Sequence, residues 1–121
     1  MIEALAISAI LETGAGQWRK METTAYSWGC GASQATSSGV WPEANWSVAT
    51  GSEYPFGTVL ELSYRGIITR RIVHDRFKHD KQGRIDLFVS DCDRAKAWGR
   101  KKIMVREIRR PLGSKRKKGK R

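Results

Sequence analysis

The run Gly83-Arg84-Ile85-Asp86-Leu87-Phe88-Val89 reads as a buried strand with one carboxylate, Asp86, in its middle. An acid in such a strand is costly to desolvate unless something pairs with it. Burial also raises a carboxyl pKa, which lets the group give up a proton near neutral pH. Alternation places Arg84 and Phe88 on the face of Asp86. Pairing with Arg84 or Arg76 would lower the pKa instead and make Asp86 a structural fixture. A second acid, Asp75, stands eleven residues earlier in His74-Asp75-Arg76-Phe77. It follows a strand read over Ile67–His74, a usual place for a loop-borne functional group; the plainer alternative is a turn residue bonding its own backbone.

The rest of the chain breaks into short strands. They are read at Met21–Tyr26, Trp46–Thr50, Thr58–Tyr64, Ile67–His74, Gly83–Val89 and Ile103–Ile108. Leu60, Leu62 and Tyr64 alternate with Val59, Glu61 and Ser63, a period-two signal. Arg65-Gly66 makes a tight hairpin turn between two of the strands. Ser90–Gly99 reads as a short helix, with Ser90 as N-cap, Asp93 at its third position and Gly99 past its end. Six short strands with one late helix predict a mainly β fold, a small closed barrel rather than a doubly wound sheet. Closure fills the interior with side chains and leaves the barrel mouth for a site.

At 121 residues the chain is one domain. Residues 1–20 read as an N-terminal helix or docking segment, 21–108 as the barrel, and 109–121 as a basic tail. That tail carries eight Lys or Arg and no acid, leaving only +3 of the formal +11 for the remainder. Such a run is normally solvated, and it suits anionic envelope polymers, an assembly partner or nucleic acid. Met1–Leu11 is apolar but too short to span a bilayer and makes a poor secretory signal. Cys30 and Cys92 do not have metal-site spacing; two reduced, half-buried thiols are the more frequent outcome, with a disulfide the alternative in an oxidising setting.

Asp91 and Asp93 are weaker candidates, since Asp93 suits the helix dipole. His74-Asp75 and His79-Asp80 form a repeated His-Asp pattern that matches none of the standard zinc spacings, so no metal and no cofactor are expected. Of the five tryptophans, Trp46 and Trp98 read as core. Trp28 and Trp41, in a loop-rich stretch, are open between core packing and stacking on a sugar or base.

These residues together resemble the double-psi β-barrel enzymes of bacterial cell-wall turnover. The chain falls between the three-aspartate (3D) domain, also found in membrane-bound lytic transglycosylase A, and the rare lipoprotein A-like domain. The resemblance runs from about Thr24 to Ile108. It rests on Thr24-Ala25-Tyr26, Thr36-Ser37-Ser38-Gly39, Tyr54-Pro55-Phe56-Gly57-Thr58, Asp75-Arg76, Gly83-Arg84-Ile85-Asp86-Leu87-Phe88, and Ala95 with Trp98-Gly99. It implies a six-stranded double-psi barrel. It makes Asp86 the acid/base and Asp75 its close partner, with Tyr26, Thr36, Ser38 and Arg76 lining the substrate groove. The chain departs from the pattern at Thr50, where the 3D group has an Asp that Asp93 would have to replace, and at Phe77, where a glycine is usual.

The function so implied is cleavage of peptidoglycan glycan strands, as a lytic transglycosylase with hydrolysis the near alternative. The site of action would be the cell envelope, reached by a phage lysis or virion-associated enzyme or by a processed secreted protein. The alternative from another class is a non-catalytic wall-glycan binder, or a structural virion module whose tail touches nucleic acid.

Overall fold

The computed structural model describes residues 16–111. Most of the N-terminal segment read over residues 1–20 and most of the basic tail lie outside them; residues 19 and 20 belong to the first strand. The described chain forms seven strands and one helix: β1 (Arg19–Trp28), β2 (Gly31–Ala32), β3 (Ser47–Thr50), β4 (Val59–Tyr64), β5 (Ile67–Arg76), β6 (Arg84–Phe88), α1 (Cys92–Trp98) and β7 (Lys101–Arg109). Hydrogen bonding runs β2-β1-β6-β3-β5-β4-β7, and β1 also pairs with β7, so six strands close on themselves. Two pairs, β1/β6 and β3/β5, are parallel within an otherwise antiparallel barrel. The result is mainly β, a closed six-stranded barrel consistent with the small double-psi kind. Closure removes the exposed edges that an open sheet of this size would carry.

The seam between β1 and β7 runs from Arg19 opposite Val105 to Thr23 opposite Lys101. Just before it, the Gly16 N–H donates to the Glu107 carbonyl at 2.6 Å. The β4–β5 hairpin turns on Arg65 (φ 52°) and Gly66 (φ 79°), the two left-handed residues that a tight two-residue turn needs.

Side-chain alternation separates two apolar clusters. The interior holds Met21, Val48, Tyr54, Leu60, Leu62, Val73, Ile85, Leu87, Ile103 and Val105, with Trp98 packed against it from α1. On the opposite face of β1, β3 and β6 lie Tyr26, Ala49 and Phe88, with Ala32, Ala44 and Phe77 against them. Trp98 is thus a core residue as expected, its indole N–H bonded to the Thr23 hydroxyl at 3.0 Å. Trp46 is half-buried and belongs to neither cluster, because it precedes β3 rather than lying in it. The two buried acids, Glu61 and Glu107, are paired. Glu61 on β4 faces Arg70 on β5 and Arg106 on β7 in register, and accepts from both side chains at 3.3 and 3.0 Å.

Two local expectations are corrected. The helix cap is Asp91, not Ser90: its carboxylate accepts from the Arg94 N–H at 2.8 Å, as an N-cap aspartate does. The thiols are not free. Cys30 and Cys92 form a disulfide with Cα atoms 6.0 Å apart, a normal span for the bond. Sixty-two residues separate them in sequence, and only the packing of α1 beside β1 brings the turn after β1 against the helix start.

Candidate functional site

Asp86 lies between Ile85 and Leu87, both sealed in the interior, so its own side chain points the other way, toward the Tyr26–Ala49–Phe88 face. In register it sits beside Thr24 on β1 and Ala49 on β3. On the far side of Ala49, β5 contributes Asp75. Four strands therefore supply one rung: Thr24, Asp86, Ala49, Asp75. With adjacent strands about 4.8 Å apart, the two aspartate Cα atoms are roughly 10 Å from one another.

A bulge makes this rung possible. Val48 pairs with Val73 and Ala49 with Asp75, so β5 carries one extra residue, His74, at the break in register. Without it Asp75 would share the face of Val73 and point into the barrel. The bulge turns it outward, a common use of the device near functional sites. His74 itself is held by Ser47, whose hydroxyl lies 2.8 Å from Nδ1, and burial pushes its pKa down against the opposing pull of Glu43 and Asp75. Asp75 is consequently a strand residue and not the turn residue of the plainer reading.

Asp75 is held by four donors. The Tyr26 hydroxyl reaches Oδ2 at 3.0 Å. Oδ1 accepts from the Ser37 N–H at 2.9 Å, the Ser37 hydroxyl at 2.8 Å and the Arg76 N–H at 2.9 Å. Burial, reinforced by the charge of Asp75, the hydrogen bond to it and the charge of Asp86, raises the Tyr26 hydroxyl far above the usual tyrosine range, so it remains a donor. Among the described residues Asp86 accepts a single side-chain bond, from Thr24 at 2.9 Å. Burial pushes its carboxyl above the ordinary aspartate value; the Thr24 bond and the charge of Arg84 pull it back, Asp75 adds to the rise, and burial wins.

Neither Arg84 nor Arg76 locks Asp86. Among the described residues no ion pair joins Asp86 to an arginine. Arg84 stacks over Phe77, 5.4 Å from its centroid, and reaches only the Thr24 hydroxyl, at 3.4 Å. Arg76 stacks over Phe56 at 4.2 Å.

The loop residues sort differently from the sequence reading. Thr36 is buried and spends its hydroxyl on the Val40 carbonyl at 2.6 Å, with Ser38 3.0 Å away. Ser38 is tied through its N–H to the His74 carbonyl at 3.1 Å. Ser37 between them, not singled out from the sequence, is the residue that touches Asp75, and Thr24 is the one that touches Asp86. Alternation along a Thr-Ser-Ser loop gave no means of choosing among the hydroxyls. Thr50 is fully buried and bonds the Gly51 carbonyl at 2.8 Å, while Asp93 is exposed in the first turn of α1. His79-Asp80 is a loop clamp: Asp80 accepts from the Ser52 N–H at 2.8 Å and hydroxyl at 2.7 Å. Among the described residues no three His, Cys, Asp or Glu side chains converge as for a metal ion.

Beside the rung is an aromatic shelf. Trp28 packs edge-on against Phe88 at 5.6 Å and tilted against Trp41 at 5.8 Å. Trp28 is 42% exposed and Trp41 65%. Phe88 also meets Tyr26 edge-on at 5.3 Å, so the shelf and Asp75 are joined through one ring. The barrel mouth is elsewhere. It is a cavity lined by Leu62, Leu87 and Ile103 of the interior, and neither aspartate lines it. Both carboxylates lie on the outer face of the wall, with Tyr26, Ala49 and Phe88.

No family model matches the chain, and no curated protein matches it in sequence. Among solved structures it is similar to the Streptomyces papain inhibitor, at 21% identity and a TM-score of 0.57, over 78% of this chain and 96% of that one. It is also similar to a mutant Clavibacter michiganensis expansin in complex with cellohexaose, at 20% identity and a TM-score of 0.49. That match covers 81% of this chain and 54% of the expansin, about half its length. The papain inhibitor likeness extends across nearly the whole of that protein and establishes the barrel.

Proposed function

We propose that this barrel binds and cleaves peptidoglycan glycan strands, as a lytic transglycosylase with Asp86 as its acid and base. The observation that carries the reading is the shared rung: two outward carboxylates flanking Ala49, one raised by burial and lightly bonded, the other fixed by four donors.

In this reading protonated Asp86 donates to the glycosidic oxygen as the bond to the anomeric carbon breaks. Asp75 faces the positive charge that develops on the ring, as the second carboxylate does in glycoside cleavage generally. The ionised Asp86 then takes the proton from the primary hydroxyl of the same sugar, whose oxygen bonds the anomeric carbon and closes an anhydro ring. The proton returns to Asp86 and no water is consumed. Trp28 and Trp41 offer apolar faces on which neighbouring sugars stack. The disulfide suits work in an oxidising compartment outside the cytoplasm, and the basic stretch from Arg109 onward would hold the protein on anionic wall polymers, a grip that salt weakens.

The exposed tryptophan pair also favours a second reading, a wall-glycan binder without chemistry, since stacking alone needs no acid. Incubation with purified cell walls, followed by mass analysis of released fragments, separates the two. Anhydro-sugar ends support the transglycosylase, reducing ends a hydrolase, and co-sedimentation without release the binder.

A further inference from the structure

The mouth of the barrel, which the glycan reading leaves unused, is chemically unlike the aspartate face. Its cavity is about 330 Å³, within the range of small-molecule sites. The floor is Leu62, Leu87, Val89 and Ile103, with Tyr64 and Trp98 forming one wall as an edge-to-face pair at 5.0 Å. No acid lines it, yet Arg65 and Arg71 do.

Arg71 is the unexplained group. It extends from β5 without an acidic partner among the described residues. Its Nη1 donates to the carbonyls of Asn45 at 2.8 Å and Arg70 at 3.3 Å. Its Nε is buried with no acceptor. Asn45, whose carbonyl the guanidinium meets, is one of only two non-glycine residues with positive φ in the described chain, at 62°. An unpaired cation beside an apolar hollow is expensive to keep, and burial holds the Arg71 pKa below its usual value with no opposing carboxylate. Lys101, which lines the adjoining groove, sits 4.1 Å over the Trp98 ring and adds to the positive rim.

We infer that the barrel mouth is a binding site for a small organic carboxylate, its anionic group on Arg71 and its hydrocarbon body against Leu62, Leu87, Ile103 and Trp98. A carboxylate supplies the opposite charge that the Arg71 guanidinium lacks among the described residues, and the hollow supplies the apolar contact that a free anion would not need. The site is independent of the glycan reading and stands or falls apart from it.

The test is titration of the full chain with octanoate and, separately, with 1-octanol, followed by calorimetry and by amide and indole chemical shifts. Octanoate should bind and move the resonances of Leu62, Ile103 and the Trp98 indole, and more tightly than octanol. Arg71→Gln should weaken octanoate binding about tenfold or more, as expected for loss of a charge-assisted pair, and leave octanol unchanged. Thr69→Phe, which fills the cavity without altering a charge, should block octanoate, and it decides the matter if Arg71→Gln does not fold. Octanoate that leaves those resonances in place, octanol binding as tightly as octanoate, or octanoate binding unaffected by either substitution, overturns the proposal.

Discussion

Asp75 and Asp86 share one register partner, Ala49, and flank it from opposite sides of β3. Ala49 contributes the small side chain between them, so nothing bulky on β3 separates the two carboxylates. Their environments diverge nonetheless: Asp75 is enclosed by donors and Asp86 is left in a poorly solvated place with one.

That difference makes a stability prediction whose sign is fixed. A folded-state carboxyl pKa above its unfolded value stabilises the fold at low pH, and the benefit is lost as pH rises through the raised value. Above that raised value, ionised Asp86 is therefore a cost. Asp86→Asn should raise Tm at pH 7, and the gap to the parent should close as pH falls below the ordinary aspartate value of 3.8. The same variant should release no sugar fragments from cell walls; full activity refutes the acid/base assignment.

The acid role also sets the direction of a pH profile. Activity should be lost as pH rises through the Asp86 pKa, since the protonated form is required to donate. Thr24→Val removes the largest influence pulling that pKa down, and Arg84→Gln the next. Both should move the alkaline limb of kcat/KM to higher pH. A limb that stays put in Thr24→Val means that another group is being titrated.

Tyr26 reaches Asp75 with its hydroxyl while its ring packs on Phe88. Tyr26→Phe keeps the ring and deletes the donor. Turnover should fall about tenfold, the value of one hydrogen bond to a charged group, with the far-ultraviolet spectrum unchanged. Parent-like turnover removes Tyr26 from the catalytic machinery.

The Cys30–Cys92 bond closes a long loop of chain. Loop-closure entropy puts its contribution at about 4 kcal/mol, so Cys30→Ser with Cys92→Ser, or reduction of the parent, should lower the denaturation midpoint by a corresponding amount. Urea titration with and without reductant reads this directly; coincident curves would show the bond to be thermodynamically idle.

The sequence made the barrel legible because its strands announce themselves locally. Alternation in Val59–Tyr64, the Arg65-Gly66 turn and the apolar run around Asp86 are all short-range signals. What escaped it was non-local. The outward turn of Asp75 depends on a bulge at His74, set by pairing with β3. The disulfide depends on α1 packing beside β1. Ser37 and Thr24 matter because of strands far away in sequence, whereas Thr36, which the resemblance places in the groove, is consumed by its own turn. The meeting of the two aspartates on one face follows from the pairing of β3 with both β5 and β6, which no stretch of residues encodes alone.

The seam that closes the barrel carries a mechanical consequence. The described chain enters at the start of β1 and leaves at the end of β7, on neighbouring antiparallel strands. A load applied between the two termini would therefore pull the strands apart crosswise, breaking their hydrogen bonds one after another like the teeth of a zip. Tethering through both ends at once would leave the protein easy to open by force, whereas anchorage through one end alone would leave the seam untouched.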